Sequence, residues 1–343
     1  MVTQSNQPPH QDEPARVAVS AGNGFELLLY HAPNESEFAQ AMARAVQALG
    51  LGIRVHLASD VSAASAVIDR VEAAYGHVPP DLFAQASRLR WLACPQAGPD
   101  PRFFHQALID SAVTVTNVRG IYNDHISAHI MAFLLAFSRG LPTYWSRQQQ
   151  RTWQSGARTI YLPEASAAIV GFGGIGAETA RRCADFGMRV VAVDPRVESK
   201  PDFVERLYRP DQLLAAVADV DFVIVAAPET PTTRGLCDSK FFAAMRKDAY
   251  FINIGRGAIV KLDALDQALR AGQIAGAALD VFEVEPLPAE HPLWDAPGML
   301  ITPHVATVGP GLKERRIAVL SDNCRRFALG QPLNNVVDKL NWF

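Results

Sequence analysis

The stretch "AAIVGFGGIGAETARRCADFGMRVVAVD", Ala167–Asp194, decides the fold. An apolar run ends in a glycine cluster, a helix-period segment follows, and a second apolar run ends on a carboxylate. Gly171, Gly173 and Gly176 form a G-x-G-x-x-G pattern, with Gly174 and Ile175 inside it. The pattern alone is weak, but a preceding strand, a following helix and a further strand make it a dinucleotide-binding signal. Gly171 permits the tight turn, Gly173 lets a pyrophosphate approach the backbone, and Gly176 lets helix and strand pack closely. The helix N-terminus offers N–H groups and a positive dipole end to the phosphates. Asp194 lies 18 residues past Gly176, at the tip of the second strand, where a carboxylate accepts hydrogen bonds from an adenosine ribose. That charge favours NAD over NADP; Arg196 could offset it or meet a phosphate. A glycine-rich turn with no nucleotide is the bland alternative.

Outward from this stretch the alternation continues. "DFVIVAA", "AYFINIG", "GAALDVF" and "MLITPH" follow, so six strands with intervening helices predict a doubly wound, Rossmann-like α/β domain. Upstream, "FELLLYH" (25–31), "IRVHLAS" (53–59), the run ending in "LRWLACPQAG" (89–98) and "VTVTN" (113–117) predict four strands of a smaller α/β domain. "DHISAHIMAFLLAFSRG" (124–140) is a strongly apolar helix, expected between domains. "GLKERRIAVLSDNCRRFALG" (311–330) is amphipathic, with Leu312, Ile317, Leu320, Cys324 and Phe327 near one face; packed back on the first domain, it would make that domain discontinuous. The expected division is a disordered tail over 1–22, a substrate domain over 23–122 and 305–343, and a dinucleotide-binding domain over 123–304.

Composition bounds the function. The 343 residues exceed one ordinary core, and 49% hydrophobic with 20% charged residues is a globular balance. A net charge of −3 gives no sign of a nucleic-acid or membrane-surface partner. No apolar run approaches the ~18 residues of a membrane span. Cys94, Cys183, Cys237 and Cys324 are far apart, so neither a metal site nor a disulfide framework is indicated, and a reducing, cytoplasmic setting fits. The first residues lack the apolar core of a signal peptide.

Polar residues close three other strands: Arg256 after "FINIG", Glu285 after "ALDVF" and Asp280, and His304 after "LITP". In a parallel sheet these ends share one edge with the glycine loop. Beside a nicotinamide, an Arg can hold a carboxylate in a fork, a His can move a proton, and a Glu can orient the imidazole and stabilise its cation. Arg256 paired only with Asp280 or Glu285 is the bland alternative, yet such a pair needs no glycine on each side. His125 and His129, on the apolar helix, read as structural; Trp145, Trp153 and Trp294 read as packing or dimer-contact residues; Asp100 reads as a helix cap.

"VGFGGIG", "VVAVDPR", "APETPTTRGL", "FINIGRGAIV", "GAALDVFEVEPLP", "HPLW" and "ITPH" run in order from Ala167 to His304. With them the chain resembles the D-isomer-specific 2-hydroxyacid dehydrogenases, glyoxylate/hydroxypyruvate reductase-like members in particular. "ACPQAGPD" and "NVRGIYNDHISAHIMAFLLAFSR" match more loosely. The resemblance implies that Arg256 holds the substrate carboxylate, Glu285 pairs with the catalytic His304, and Asp280 lies near the nicotinamide carboxamide. It implies further that Pro228 and Thr230 line the adenosine pocket and that Ala97 and Gly98 bind the substrate carboxylate through their amides. It also implies a flavodoxin-like substrate domain, an active site in the cleft between domains, NAD (or NADP) as cofactor, a 2-keto or 2-hydroxy acid as substrate, and a homodimer around the dinucleotide domains. Pro99, "SAH" at 127–129 and Pro310 depart from the family pattern. Alternatives within the fold are formate-type and phosphoglycerate dehydrogenases; Glu285, where formate enzymes carry glutamine, and the absence of a regulatory domain after His304 argue against them. A nucleotide-sensing, corepressor-like interaction protein is the alternative from another class.

Overall fold

Strands of a parallel sheet are covered on both faces, so their apolar runs are continuous rather than alternating. Two such sheets form here. The computed structural model describes residues 24–98 and 103–340. The tail read over 1–22 lies outside the described residues, as do Pro99 and Asp100.

The first unit consists of the described residues up to Arg119 and from Gly311 onward. Its strands are β1 (Glu26–Tyr30), β2 (Arg54–Ala58), β3 (Ala73–Tyr75), β4 (Trp91–Ala93) and β5 (Thr114–Thr116). They pair in parallel in the order β2-β1-β3-β4-β5, the flavodoxin-like order. The side-chain period of two divides β1 between two layers. Leu27 and Leu29 join a cluster with Met42, Trp91 and Phe327, whereas Leu28 joins Ile68, Leu82 and Leu108 on the other face. The helix Leu312–Ala328 sits in the first cluster through Leu320, Cys324 and Phe327, with the Phe327 ring 4.8 Å from that of Phe25. The C-terminal helix therefore does return to this unit. One expectation needs correcting: four strands were read here, and β3 is a fifth. Its residues, Ala73, Ala74 and Tyr75, include two alanines, which are weak strand formers, and do not lie in an apolar run.

The second unit is Gly120–Pro310. It holds β6 (Ser166–Val170), β7 (Arg189–Val193), β8 (Arg206–Tyr208), β9 (Phe222–Val225), β10 (Tyr250–Asn253), β11 (Gly276–Leu279) and β12 (Met299–Ile301). Their order, β12-β11-β10-β9-β6-β7-β8, is doubly wound, and the chain reverses direction across the sheet between β6 and β9. That reversal is the place where such sheets bind ligands. The seventh strand is the unanticipated β8, a three-residue, half-exposed edge strand. The central strands are dry: every residue of β6, β9 and β11 is buried. The helix Asn123–Ser138 packs within this unit, its Met131 sulfur 3.9 Å from the Cys183 thiol on the helix Gly174–Asp185.

The unit boundaries differ from the expected 122/123 and 304/305. Residues 305–310 stay with the second unit because the buried Asp280 carboxylate accepts the amide N–H groups of Val305 and Ala306, each at 2.9 Å.

Candidate active site

Because β6, β10, β11 and β12 are parallel, everything that follows their last residues lies on one edge of the sheet. The glycine loop, Arg256, Asp280 and His304 all do.

The loop after β6 turns at Gly171 (φ +93°), and the helix starts at Gly174 with Gly173 as its cap. Among the described residues no side chain caps this helix by a hydrogen bond, so its first N–H groups lack an intrahelical or capping partner. A Cβ on Gly176 would lie 2.0 Å from the Gly171 oxygen, which explains the third glycine by close approach. A Cβ on Gly173 would meet no atom within 4 Å. The loop thus presents an open backbone cradle with a helix dipole behind it, which fits a pyrophosphate.

Asp194 does not sit as expected. The residue is 3% exposed. Its Oδ2 accepts the Phe172 N–H at 2.9 Å, and its Oδ1 accepts those of Arg196 and Val197 at 2.8 and 3.3 Å. The Arg196 Nε lies 3.9 Å from Oδ1. A carboxylate has about four acceptor sites, and three are filled by the chain itself. Asp194 therefore braces the glycine loop against the loop after β7, with room for at most one ribose bond. Its charge faces inward amides rather than an open ribose site, so the expected repulsion of a 2′-phosphate is weakened.

Asp280 is similar. Its Oδ1 accepts the Thr302 hydroxyl at 2.6 Å and the Val305 amide, and its Oδ2 accepts the Ala306 amide. The His304 amide bonds the Asp280 carbonyl at 2.8 Å. Asp280 was expected near a nicotinamide carboxamide; its carboxylate holds the loop that carries His304.

His304 itself has φ +53°, the left-handed region. Its Nδ1 lies 2.8 Å from Glu285 Oε2, while Glu285 Oε1 accepts the Phe282 N–H at 2.9 Å. An ionised carboxylate only accepts, so Nδ1 carries the proton of this bond and Nε2 is left to a ligand. Both side chains are partly exposed, 43% and 36%.

Arg256 follows β10 and is largely covered. Burial pushes its guanidinium pKa down, and the nearby carboxylates of Glu229 and Glu285 oppose that shift. Its Nη1 donates to the Gly255 carbonyl at 2.8 Å. The flanking glycine now has a reason. A Cβ on Gly257 would sit 1.9 Å from the Phe282 carbonyl carbon and 2.2 Å from the Glu283 nitrogen. Only glycine lets the Arg256 loop run against the segment that leads to Glu285. Arg256, Glu285 and His304 are thereby gathered, and of the two acids read as Arg256 partners, Glu285 is the one that acts on it.

Pro228 and Thr230 lie after β9 in a self-bonded turn: the Thr233 hydroxyl donates to the Pro228 carbonyl at 2.7 Å and meets the Thr230 amide at 2.8 Å. Ala97 and Gly98 belong to the first unit, where the Ala97 carbonyl accepts the Asn117 amide at 2.8 Å. Three residues near the site were not singled out for a role in it: Glu229, which pairs with Arg234; Thr302; and His129, whose Nε2 lies 3.0 Å from the Thr302 hydroxyl. Thr302 was visible only as part of "ITPH", and His129 as one histidine on an apolar helix.

Comparison with known proteins finds relatives of this chain. The family model of the D-isomer specific 2-hydroxyacid dehydrogenase NAD binding domain matches residues 131–306. The chain is 32% identical over 221 residues to the glyoxylate reductase/hydroxypyruvate reductase of Homo sapiens, a match covering 62% of this chain and 66% of that protein, about two thirds of its length. A D-isomer specific 2-hydroxyacid dehydrogenase from Xanthobacter autotrophicus, solved with NADPH and MES, is similar at TM-score 0.81 and 29% identity, covering 93% of this chain and 100% of that one. An NADPH-dependent glyoxylate/hydroxypyruvate reductase from Sinorhizobium meliloti, solved with NADP and sulfate, is similar at TM-score 0.80 and 26% identity over the same shares. The matched residues include the glycine loop, Arg256, Glu285 and His304, and the chain belongs to the D-isomer specific 2-hydroxyacid dehydrogenase family.

Proposed function

We propose that the protein reduces small 2-keto acids such as glyoxylate or hydroxypyruvate to D-2-hydroxyacids. The observation that carries this reading is the His304–Glu285 bond at 2.8 Å on the sheet edge that also bears Arg256 and the glycine loop. The nicotinamide cofactor supplies the hydride when bound. The cradle of Gly173, Gly174, Ile175 and Gly176 fits its pyrophosphate. Arg256 grips the substrate carboxylate through its planar fork. His304 delivers a proton from Nε2 to the carbonyl oxygen, while Glu285 orients the ring through Nδ1 and stabilises its cation. In the reverse direction neutral His304 accepts that proton.

The reading includes both NADH and NADPH. Asp194 keeps at most one acceptor site for a ribose, and Arg196, half exposed beside it, can meet a 2′-phosphate. The NADPH and NADP held by the two solved relatives support this. A homodimer around the dinucleotide-binding unit is part of the same proposal, supported by the exposure of Trp145, Trp153 and Tyr161 on the segment after the helix Asn123–Ser138. Among the described residues no helix is long and apolar enough to cross a membrane. We place the enzyme in the cytoplasm, where the four buried free thiols stay reduced; burial pushes Cys94 and Cys183 up to about 12.

Cofactor oxidation with glyoxylate, hydroxypyruvate and acetaldehyde tests the reading, using NADH and NADPH in parallel. Turnover of the keto acids and not of acetaldehyde is expected. Equal rates on acetaldehyde and glyoxylate would end the carboxylate grip, and no turnover of any keto acid would end the reductase reading.

A further inference from the structure

We infer that His129 and Thr302 are positioning residues for the reaction, acting through Asp280 to hold the backbone of His304 in the left-handed conformation from which its ring meets Glu285. This rests on the reductase reading of His304.

The proton count fixes the direction of the network. A threonine hydroxyl has one proton. Thr302 gives it to Asp280 Oδ1 over 2.6 Å. The second contact of the Thr302 hydroxyl oxygen, His129 Nε2 at 3.0 Å, must then be a donor, so His129 carries its proton on Nε2. The chain reads His129 N–H to Thr302 O–H to the Asp280 carboxylate, with Val305 and Ala306 supplying the remaining donors. The Asp280 Oδ1 is 3.7 Å from the same imidazole nitrogen, so the ring also faces the negative charge directly.

The loop needs such a hold. A non-glycine residue at φ +53° is strained and persists only where its surroundings over-determine it. His304 lies between the residue that binds Asp280 through its hydroxyl and the two that bind it through their amides. Its own amide bonds the Asp280 carbonyl. Most ties that set its backbone thus end on one buried aspartate, with a further bond from the His304 amide to the Thr302 carbonyl at 3.1 Å, and His129, from the helix Asn123–Ser138, donates to the Thr302 hydroxyl that is one of that aspartate's donors. The His129 ring is itself fixed edge-on to Phe133, centroids 4.7 Å apart. Burial lowers the His129 pKa against the opposing pull of Asp280, which favours the neutral, single-donor form the network uses.

Two variants remove a donor and keep the shape, His129→Phe and Thr302→Val. Two keep the donor, His129→Gln and Thr302→Ser, since a glutamine amide can stand where Nε2 stood. Amide hydrogen exchange at Val305 and Ala306 reads the loop without any turnover. In the Phe and Val variants it should quicken about tenfold, while the amides of β11 hold. With glyoxylate and NADPH, kcat should fall on the order of 10–100-fold, with cofactor KM within about twofold of wild type. The Gln and Ser variants should stay near wild type in both. Unchanged exchange in the Phe and Val variants overturns the inference, and so does faster exchange with unchanged kcat. A Phe variant that fails to fold leaves Thr302→Val to decide. A wild type without turnover sinks the reductase reading instead, and the exchange data then decide the network on their own.

Discussion

Two kinds of acidic residue stand on the catalytic edge of the second unit, and they differ in what their oxygens face. Asp194 and Asp280 are 3% and 1% exposed, and each takes three hydrogen bonds from its own chain. Glu285 is one-third open and divides its oxygens between a backbone amide and His304. A buried carboxylate is tolerated when its acceptor sites are filled, and filling them with loop amides turns it into a brace. A carboxylate that keeps an oxygen for a titratable partner can take part in chemistry. Asp194 and Asp280 directly follow β7 and β11, and Glu285 lies further along the loop after β11; the inward or outward aim of the oxygens separates them.

The largest test of that distinction is on the open side. His304→Asn should lower kcat by about 10²–10⁴-fold and leave NADPH binding intact, read by rates and cofactor titration. Turnover at the wild-type level would remove proton transfer from His304, and lost cofactor binding would make it a structural residue like the two aspartates.

Arg256→Gln comes next. It removes the cation from a covered site and should cost about 2–5 kcal/mol of transition-state binding, seen chiefly as a raised KM for the keto acid. An unchanged KM would mean that Glu229 and Glu285 are the only carboxylates it serves.

On the braced side, Asp194→Asn should lower stability by about 1–3 kcal/mol, because an amide leaves one loop N–H facing an NH₂ group. The NADPH-to-NADH preference should move little. A tenfold loss confined to NADH, at unchanged melting temperature, would return Asp194 to the ribose and break the comparison.

The smallest effect belongs to a surface carboxylate in the first unit. Burial pushes the Glu26 pKa up, but a bond from His56 and the charges of Arg54, His56 and Arg70 outweigh it, so its pKa lies below the ordinary 4.5. A depressed folded pKa stabilises above the unfolded value and fades as pH falls through the folded one. Glu26→Gln should therefore cost under about 1 kcal/mol at neutral pH and nothing once Glu26 is protonated, measured by denaturant melts across acid pH. A penalty that persists in acid would be packing rather than charge.

Much of this was readable in the chain. Gly171, Gly176 and Gly257 stand where a Cβ would strike backbone, and that demand shows directly as glycine in the sequence. Arg256, Glu285 and His304 were legible because each closes an apolar run, and parallel topology alone then sends all three to one edge. The strands β3 and β8 were not legible, since β3 is Ala-Ala-Tyr, with two weak strand formers, and β8 is Arg-Leu-Tyr, set among charged residues, so neither lies in an apolar run. The break at Gly120 and Pro310 was off by a few residues for a similar reason: what ties 305–310 to the second unit is an aspartate more than twenty positions upstream.

The sequence by itself determined the α/β class, the glycine loop and which residues are the candidate reacting groups, because these depend on local period, on the absence of a side chain and on residue chemistry. Only the tertiary structure decided what Asp194, Asp280, Thr302 and His129 do. A side chain's allegiance depends on which donors the fold brings to its oxygens, and those donors come from loops that meet only after both sheet and helices have packed.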